Sequence, residues 1–500
     1  MKNIALNLKF TLLNNIAVNL LKFIVRVIFI RTLTIEYLGI NGLFSNILAM
    51  LSLAELGIGP AIVYSLYKPL ATKNIETIKS LMHIYKKVYI IVGCVLLFVG
   101  IVLCPWLDVF IKDKPAIDDL HLFYLVFLLN TAVSYFWSYQ RNLLIADQKQ
   151  YIVNIYQTAI QLAVGILQII ALLLVANYWY YIGIMLLGTI AENLLISLKA
   201  YNEYPYLKDK TVPLDSIVKE EIIRNIKAMI LHKVGGIIAT SSSNLVISKF
   251  VGLIAVGIYS NYCLITLTLN TVAGKFYETI TASIGNAMVV DSRELNLTRF
   301  YNIELLTALQ ASMLSVGMYV LFNSFIELWV GKEYVFDKSI VACMVFQFYL
   351  NYMRKAVLLF KEASGLFWQD RFKPLAEAVI SLVFSVLLTI KFGVIGVVLG
   401  GIISTVLTCF WVEPYVLFKF GFKSSQNIYY KNYFIYSFIT IILSVFLDYV
   451  YGVVFRKPTI TSFISSGIII SLIVLAVWYL LYKDNELIQS IKYRIKAKFY

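Results

Sequence analysis

A largely apolar stretch, TLLNNIAVNLLKFIVRVIFIR (11–31), carries Asn15, Asn19, Lys22 and Arg26. They are spaced four, three and four residues apart, so on an α-helix of about 3.6 residues per turn they fall in one stripe, opposite Ile, Val, Phe and Leu. A cation near a bilayer centre costs roughly 2.5–3.5 kcal/mol, so Lys22 and Arg26 require water, a partner or a ligand. The chemistry they offer is anion binding, because ammonium and forked guanidinium donors both suit phosphate oxygens. Asn15 and Asn19 offer hydrogen bonds to hydroxyls or water. The bland reading stands beside this one: Lys22 or Arg26 pairs with Glu55 on the next apolar run.

Other charges lie in apolar surroundings. Lys233, beside His232, falls on the run 228–248, and Lys275 lies deep in the run 253–288. Gln347, Asn351 and Arg354 follow i, i+4, i+7 and form a second polar stripe. Arg354 reads either as a cavity cation or as an interfacial anchor; Lys355 points elsewhere and reads as an anchor. The expected substrate-binding set is therefore Asn15, Asn19, Lys22, Arg26, Lys233, Lys275 and Arg354. Glu55, Glu192 and Glu377 are acids at depth, either counter-ions or proton or sodium coupling sites, since burial favours a neutral carboxyl. No cofactor or metal is expected: the five cysteines lie in apolar segments without ligand spacing.

The elements that must position these residues are membrane helices. The chain is 60% hydrophobic and 14% charged over 500 residues, and apolar runs of bilayer length recur from about 9–30 to about 460–482. About fourteen spans are marked, giving an all-α polytopic membrane protein. The segment GLFSN (42–46) is echoed by GIYSN (257–261), six spans later. This suggests two six-helix lobes, 1–200 and 201–418, followed by two additional helices and a basic tail, 419–500. The formal net charge of +15 reads as positive-inside loops, not as nucleic-acid binding. With both termini cytoplasmic, about 28 of the 43 Lys and Arg fall inside and about 9 outside. No signal with a small-residue cleavage site precedes Thr11, so the first helix is expected to stay as a span.

The run LGINGLFSNILAMLSLAELGIGPAIVYSLYKPLA (38–71) resembles bacterial polysaccharide transporters, the Wzx-type flippases; SSSNLVISKFVG (241–252) and GIYSNYCLI (257–265) resemble them too. The resemblance implies the multidrug/oligosaccharidyl-lipid/polysaccharide exporter fold. It also implies a flippase of the cell membrane that moves undecaprenyl-pyrophosphate-linked oligosaccharide from inner to outer leaflet by alternating access. That role would serve capsule, exopolysaccharide or O-antigen assembly, with membrane lipids, a polysaccharide polymerase and export proteins as partners. One alternative is a multidrug/cation antiporter of the same superfamily, although such a transporter would favour carboxylates on the first helix. A polytopic polymerase fits less well, because the longest loop, about 199–227, holds no DxD-like pair or metal-ligand cluster. The expectation is a transporter, not an enzyme.

Overall fold

The computed structural model describes residues 18–52, 65–67, 69–112, 117–209, 241–366, 368–454, 458–485 and 489. Asn15, Glu55, His232 and Lys233 lie outside them. Among the described residues the secondary structure is helical throughout, without a strand, and ten helices are long and apolar enough to cross a membrane.

The chain divides into two compact units, Met1–Ser260 and Asn261–Tyr500. In the first, residues 18–32 form α1 and residues 241–250 form α7. Between them lie α2 (Ile35–Leu51), α3 (Ile75–Leu103), α4 (Leu120–Ala146), α5 (Gln150–Val175) and α6 (Tyr178–Glu203). Helix α8 (Leu253–Val290) runs through the division point. The second unit continues with α9 (Arg293–Trp329), α10 (Lys338–Ala363), α11 (Lys373–Phe392), α12 (Val394–Leu407), α13 (Cys409–Val416), α14 (Asn427–Val454) and α15 (Ile460–Tyr482).

Local chemistry sets several helix starts. Asn74 accepts from the Thr77 amide before α3, Asn177 from the Trp179 amide before α6, and Thr459 forms a capping box with Ser462 before α15. The α4–α5 turn is fastened to the end of α6 by Lys149, whose Nζ lies 3.0 Å from Asp147 and 3.2 Å from Glu203. Burial works to lower the pKa of Lys149, but its hydrogen bonds to the two carboxylates outweigh that and raise it.

Packing follows the logic of lipid, in which small residues let helices approach. Ala378, Ser381, Ser385 and Thr389 form the buried face of α11. Opposite them, Gly396 and Gly400 of α12 stand so close that a Cβ on either would run into the α11 backbone. The glycine-rich run 394–404 is thus a helix-packing face. Gly400→Val is expected to destabilise the fold by about 1–3 kcal/mol through overpacking. Gly183→Ala, which meets nothing within 4 Å, is the neutral control. Thermal unfolding of the purified protein in detergent compares them.

The opposite faces of the same helices are apolar and exposed: Leu173 and Leu174 on α5, Leu387 and Ile390 on α11, Ile468 and Leu472 on α15. Hydrocarbon is the environment that satisfies them.

In the first unit the two echoed segments meet. Gly39 lies against Leu253 and Gly42 against Val256, while Gly257 lies against Ile35. The resemblance of GLFSN to GIYSN therefore corresponds to a close approach of α2 and the start of α8, where a larger residue has no room.

Candidate functional site

The first unit holds the basic stripe. On α1, Lys22 is exposed while Asn19 and Arg26 are half-buried, so one side of α1 carries all three polar groups. The Arg26 guanidinium donates from Nη2 to Ser260 Oγ at 2.5 Å, and Ser260 in turn donates to the Gly257 carbonyl at 2.8 Å. The position of Arg26 is thus tied to the echoed segment. One turn further on, Phe29 packs edge-on against Tyr181 at 4.8 Å and Tyr178 at 6.2 Å, and Tyr178 donates to Asn41 at 2.7 Å. This aromatic cluster fixes α1 against α2 and α6. Lys22 forms no ion pair with a carboxylate among the described residues, whereas its exposure leaves the ammonium available to an anion.

Glu192 lies elsewhere in this unit. Its Oε1 accepts from Arg141 Nη2 at 2.6 Å and from Gln157 Nε2 at 3.1 Å, joining α4, α5 and α6 in one polar knot. Glu192 is thus ion-paired with Arg141 in this geometry.

The second unit holds a buried charge cluster. Arg354 grips Glu413 with both arms of its fork, at 2.7 Å from Nη2 and 3.0 Å from Nε. Lys373 donates to the same carboxylate. Arg354 Nη1 reaches Asn351 at 3.0 Å and Glu377 at 3.5 Å. The Glu413 side chain is 0% exposed. Two cations and two carboxylates thus balance inside the protein, and a bidentate pair with supporting donors is the arrangement that makes such burial tolerable. Lys275 pairs with Glu278 one turn along α8, at 2.6 Å. Lys355 is half-buried, its Nζ 4.2 Å from the centre of the Tyr352 ring and 5.4 Å from that of Tyr277, a cation–π seat.

A family profile described as "Polysaccharide biosynthesis protein" matches residues 4–282, more than half of the chain. The chain belongs to the polysaccharide biosynthesis protein family. Among solved structures, the lipid II flippase MurJ in its inward closed conformation aligns with 95% of this polysaccharide biosynthesis protein and 99% of its own chain, at 13% identity and a TM-score of 0.67. An inward-facing multidrug resistance MATE family transporter of the MOP superfamily aligns with 80% of this chain and 94% of its own, at 14% identity and a TM-score of 0.64. The MATE transporter VcmN of Vibrio cholerae covers 84% of this chain and 98% of its own, at 12% identity and a TM-score of 0.57. At such identities the likeness is one of fold. Comparison with curated protein sequences finds no match.

Two groups in this polysaccharide biosynthesis protein were not selected from its sequence as candidates. Glu304 on α9 is 1% exposed. It stands at the start of an apolar run, where the sequence alone does not set it apart. Glu413 gave no sequence signal of its role, because its partners Arg354 and Lys373 are 59 and 40 residues away. The polar stripe ending at Arg354 and the acid Glu377 were the sequence signals that pointed toward that cluster.

Proposed function

We propose that the protein is a flippase that moves undecaprenyl-pyrophosphate-linked oligosaccharide repeat units from the inner to the outer leaflet by alternating access, with no covalent step. The product serves capsule, exopolysaccharide or O-antigen assembly. The observation that carries the reading is the Lys22–Arg26 stripe on a membrane helix of a polysaccharide biosynthesis family member. A pyrophosphate head is the anion that two such cations suit, and Asn19 and its neighbours suit sugar hydroxyls. The likeness in fold to a lipid II flippase supports a lipid-linked substrate. Arg354 is paired with Glu413 and Lys275 with Glu278, and the exposed Lys22 is the leading substrate contact, with Arg26 four residues along the same stripe. The protein works in the cell membrane with both termini cytoplasmic, as the bias of its basic loops requires. It hands its cargo to a polymerase and export proteins.

Deleting the gene in a producing cell tests this. Surface polysaccharide is expected to disappear while its lipid-linked repeat unit accumulates on the inner leaflet. Unchanged polysaccharide with lost resistance to cationic drugs would instead assign the protein to the antiporter reading.

A further inference from the structure

The second unit contains a carboxylic acid that the charge cluster does not use. Glu304 is 1% exposed on α9. One of its oxygens, Oε2, accepts a single hydrogen bond, from Asn432 Nδ2 on α14 at 3.3 Å. The other, Oε1, is buried with no hydrogen-bond partner. Among the described residues, Glu304 forms no ion pair. Arg299 on its own helix is paired with Asp291, Arg354 and Lys373 with Glu413, and Lys361 of α10 with Asp370. Lys431 and Lys483 are exposed.

The groups within electrostatic reach of Glu304 are phenols from every neighbouring helix: Tyr301 on α9, Tyr349 on α10, Tyr429 and Tyr436 on α14, and Tyr482 at the end of α15. Tyr436 packs on Trp478 and Tyr482 at 5.4 and 5.7 Å between ring centres. Phenols and one amide can solvate a neutral acid. An ionised carboxylate buried with one weak donor and no cation has no comparable partner.

We propose that Glu304 is a proton-binding site, occupied by a proton while α14 is docked on α9 and vacated when water enters that seam. The step is a plain protonation: a proton from the aqueous phase binds one carboxylate oxygen and leaves from the same atom. Occupied, the site lets the Asn432 face of α14 lie against α9; empty, it charges that face and favours its hydration. The further claim that this proton couples to cargo movement rests on the flippase reading.

Infrared spectroscopy of the purified full-length protein tests the site without reference to transport. The wild type at neutral pH is expected to show a carboxylic acid C=O band that shifts in D2O and is missing from Glu304→Gln. Asn432→Leu, which keeps the acid and removes its donor, is expected to retain the band at an altered frequency. Identical spectra for wild type and Glu304→Gln would overturn the proposal. So would loss of the band in Asn432→Leu with the fold intact by circular dichroism. In proteoliposomes holding the lipid-linked oligosaccharide, Glu304→Gln is expected to translocate at the basal rate and to lose the acceleration given by an imposed pH gradient. An undiminished gradient response would overturn the coupling. Absence of any translocation by the wild type would count against the flippase reading alone, since the infrared band stands apart from it.

Discussion

Replacing Glu413 with alanine lowers the stability of the folded protein by about 3–5 kcal/mol, the range for removing one partner of a buried ion pair. The reason is local. Glu413 accepts two hydrogen bonds from Arg354 and one from Lys373 in a place closed to solvent, and Glu377, at 3.5 Å from Arg354, is too far to replace it. Without Glu413, two cations remain beside one distant carboxylate, and water must enter or the helices must part. The consequence spreads because the cluster joins α10, α11 and α13. Glu413→Gln keeps the shape and loses the charge, so it falls between wild type and alanine. Adding Lys373→Met to Glu413→Gln removes one of the stranded cations and recovers part of the loss. Thermal unfolding in detergent reads all three; an unchanged midpoint for Glu413→Ala would show that the cluster does not hold these helices together.

The second large effect concerns transport. A hydrogen bond to a charged group contributes about 1.5–3 kcal/mol, and each 1.4 kcal/mol is a factor of ten. Lys22→Ala and Arg26→Ala are therefore each expected to slow translocation by about 10–100-fold, and the double variant to abolish measurable export. Arg26→Lys keeps the charge and loses the fork, giving an intermediate rate. If these residues acted only as structural pairs, the variants would instead lower the amount and melting temperature of the protein while leaving the rate per folded molecule unchanged. Arg26 has a structural duty as well, because its guanidinium holds Ser260. Lys22 is the cleaner test.

The helices and the polytopic class are legible in the sequence because an apolar run of bilayer length needs no tertiary information. The basic stripe of α1 is legible for the same reason: its four-three-four spacing is a property of one helix. The resemblance carried by residues 38–71 agrees with the family that the profile identifies over residues 4–282. What lies across helices is hidden. Arg354 showed itself through Gln347 and Asn351, but its neutralisation depends on Glu413, brought in by packing from 59 residues away. The tyrosine seat of Lys355 was hidden because it includes Tyr277 from another helix. Glu304 escaped notice because a single acid near the start of an apolar run resembles any helix end. Only burial by α10, α14 and α15 makes it unusual. The run 394–404 gave its glycines but not their partner, the small-residue face of α11.

The central claim is that Lys22 and Arg26 move a pyrophosphate-linked glycolipid across the bilayer. Its most direct test is the purified protein in liposomes loaded with undecaprenyl-pyrophosphate-linked oligosaccharide, with the sugar exposed on the far side counted by an impermeant glycosidase. Wild-type protein is predicted to deliver the sugar to the enzyme, and the Lys22→Ala/Arg26→Ala double variant, folded and inserted to the same extent, to leave it protected. Equal delivery by the two proteins would contradict the account.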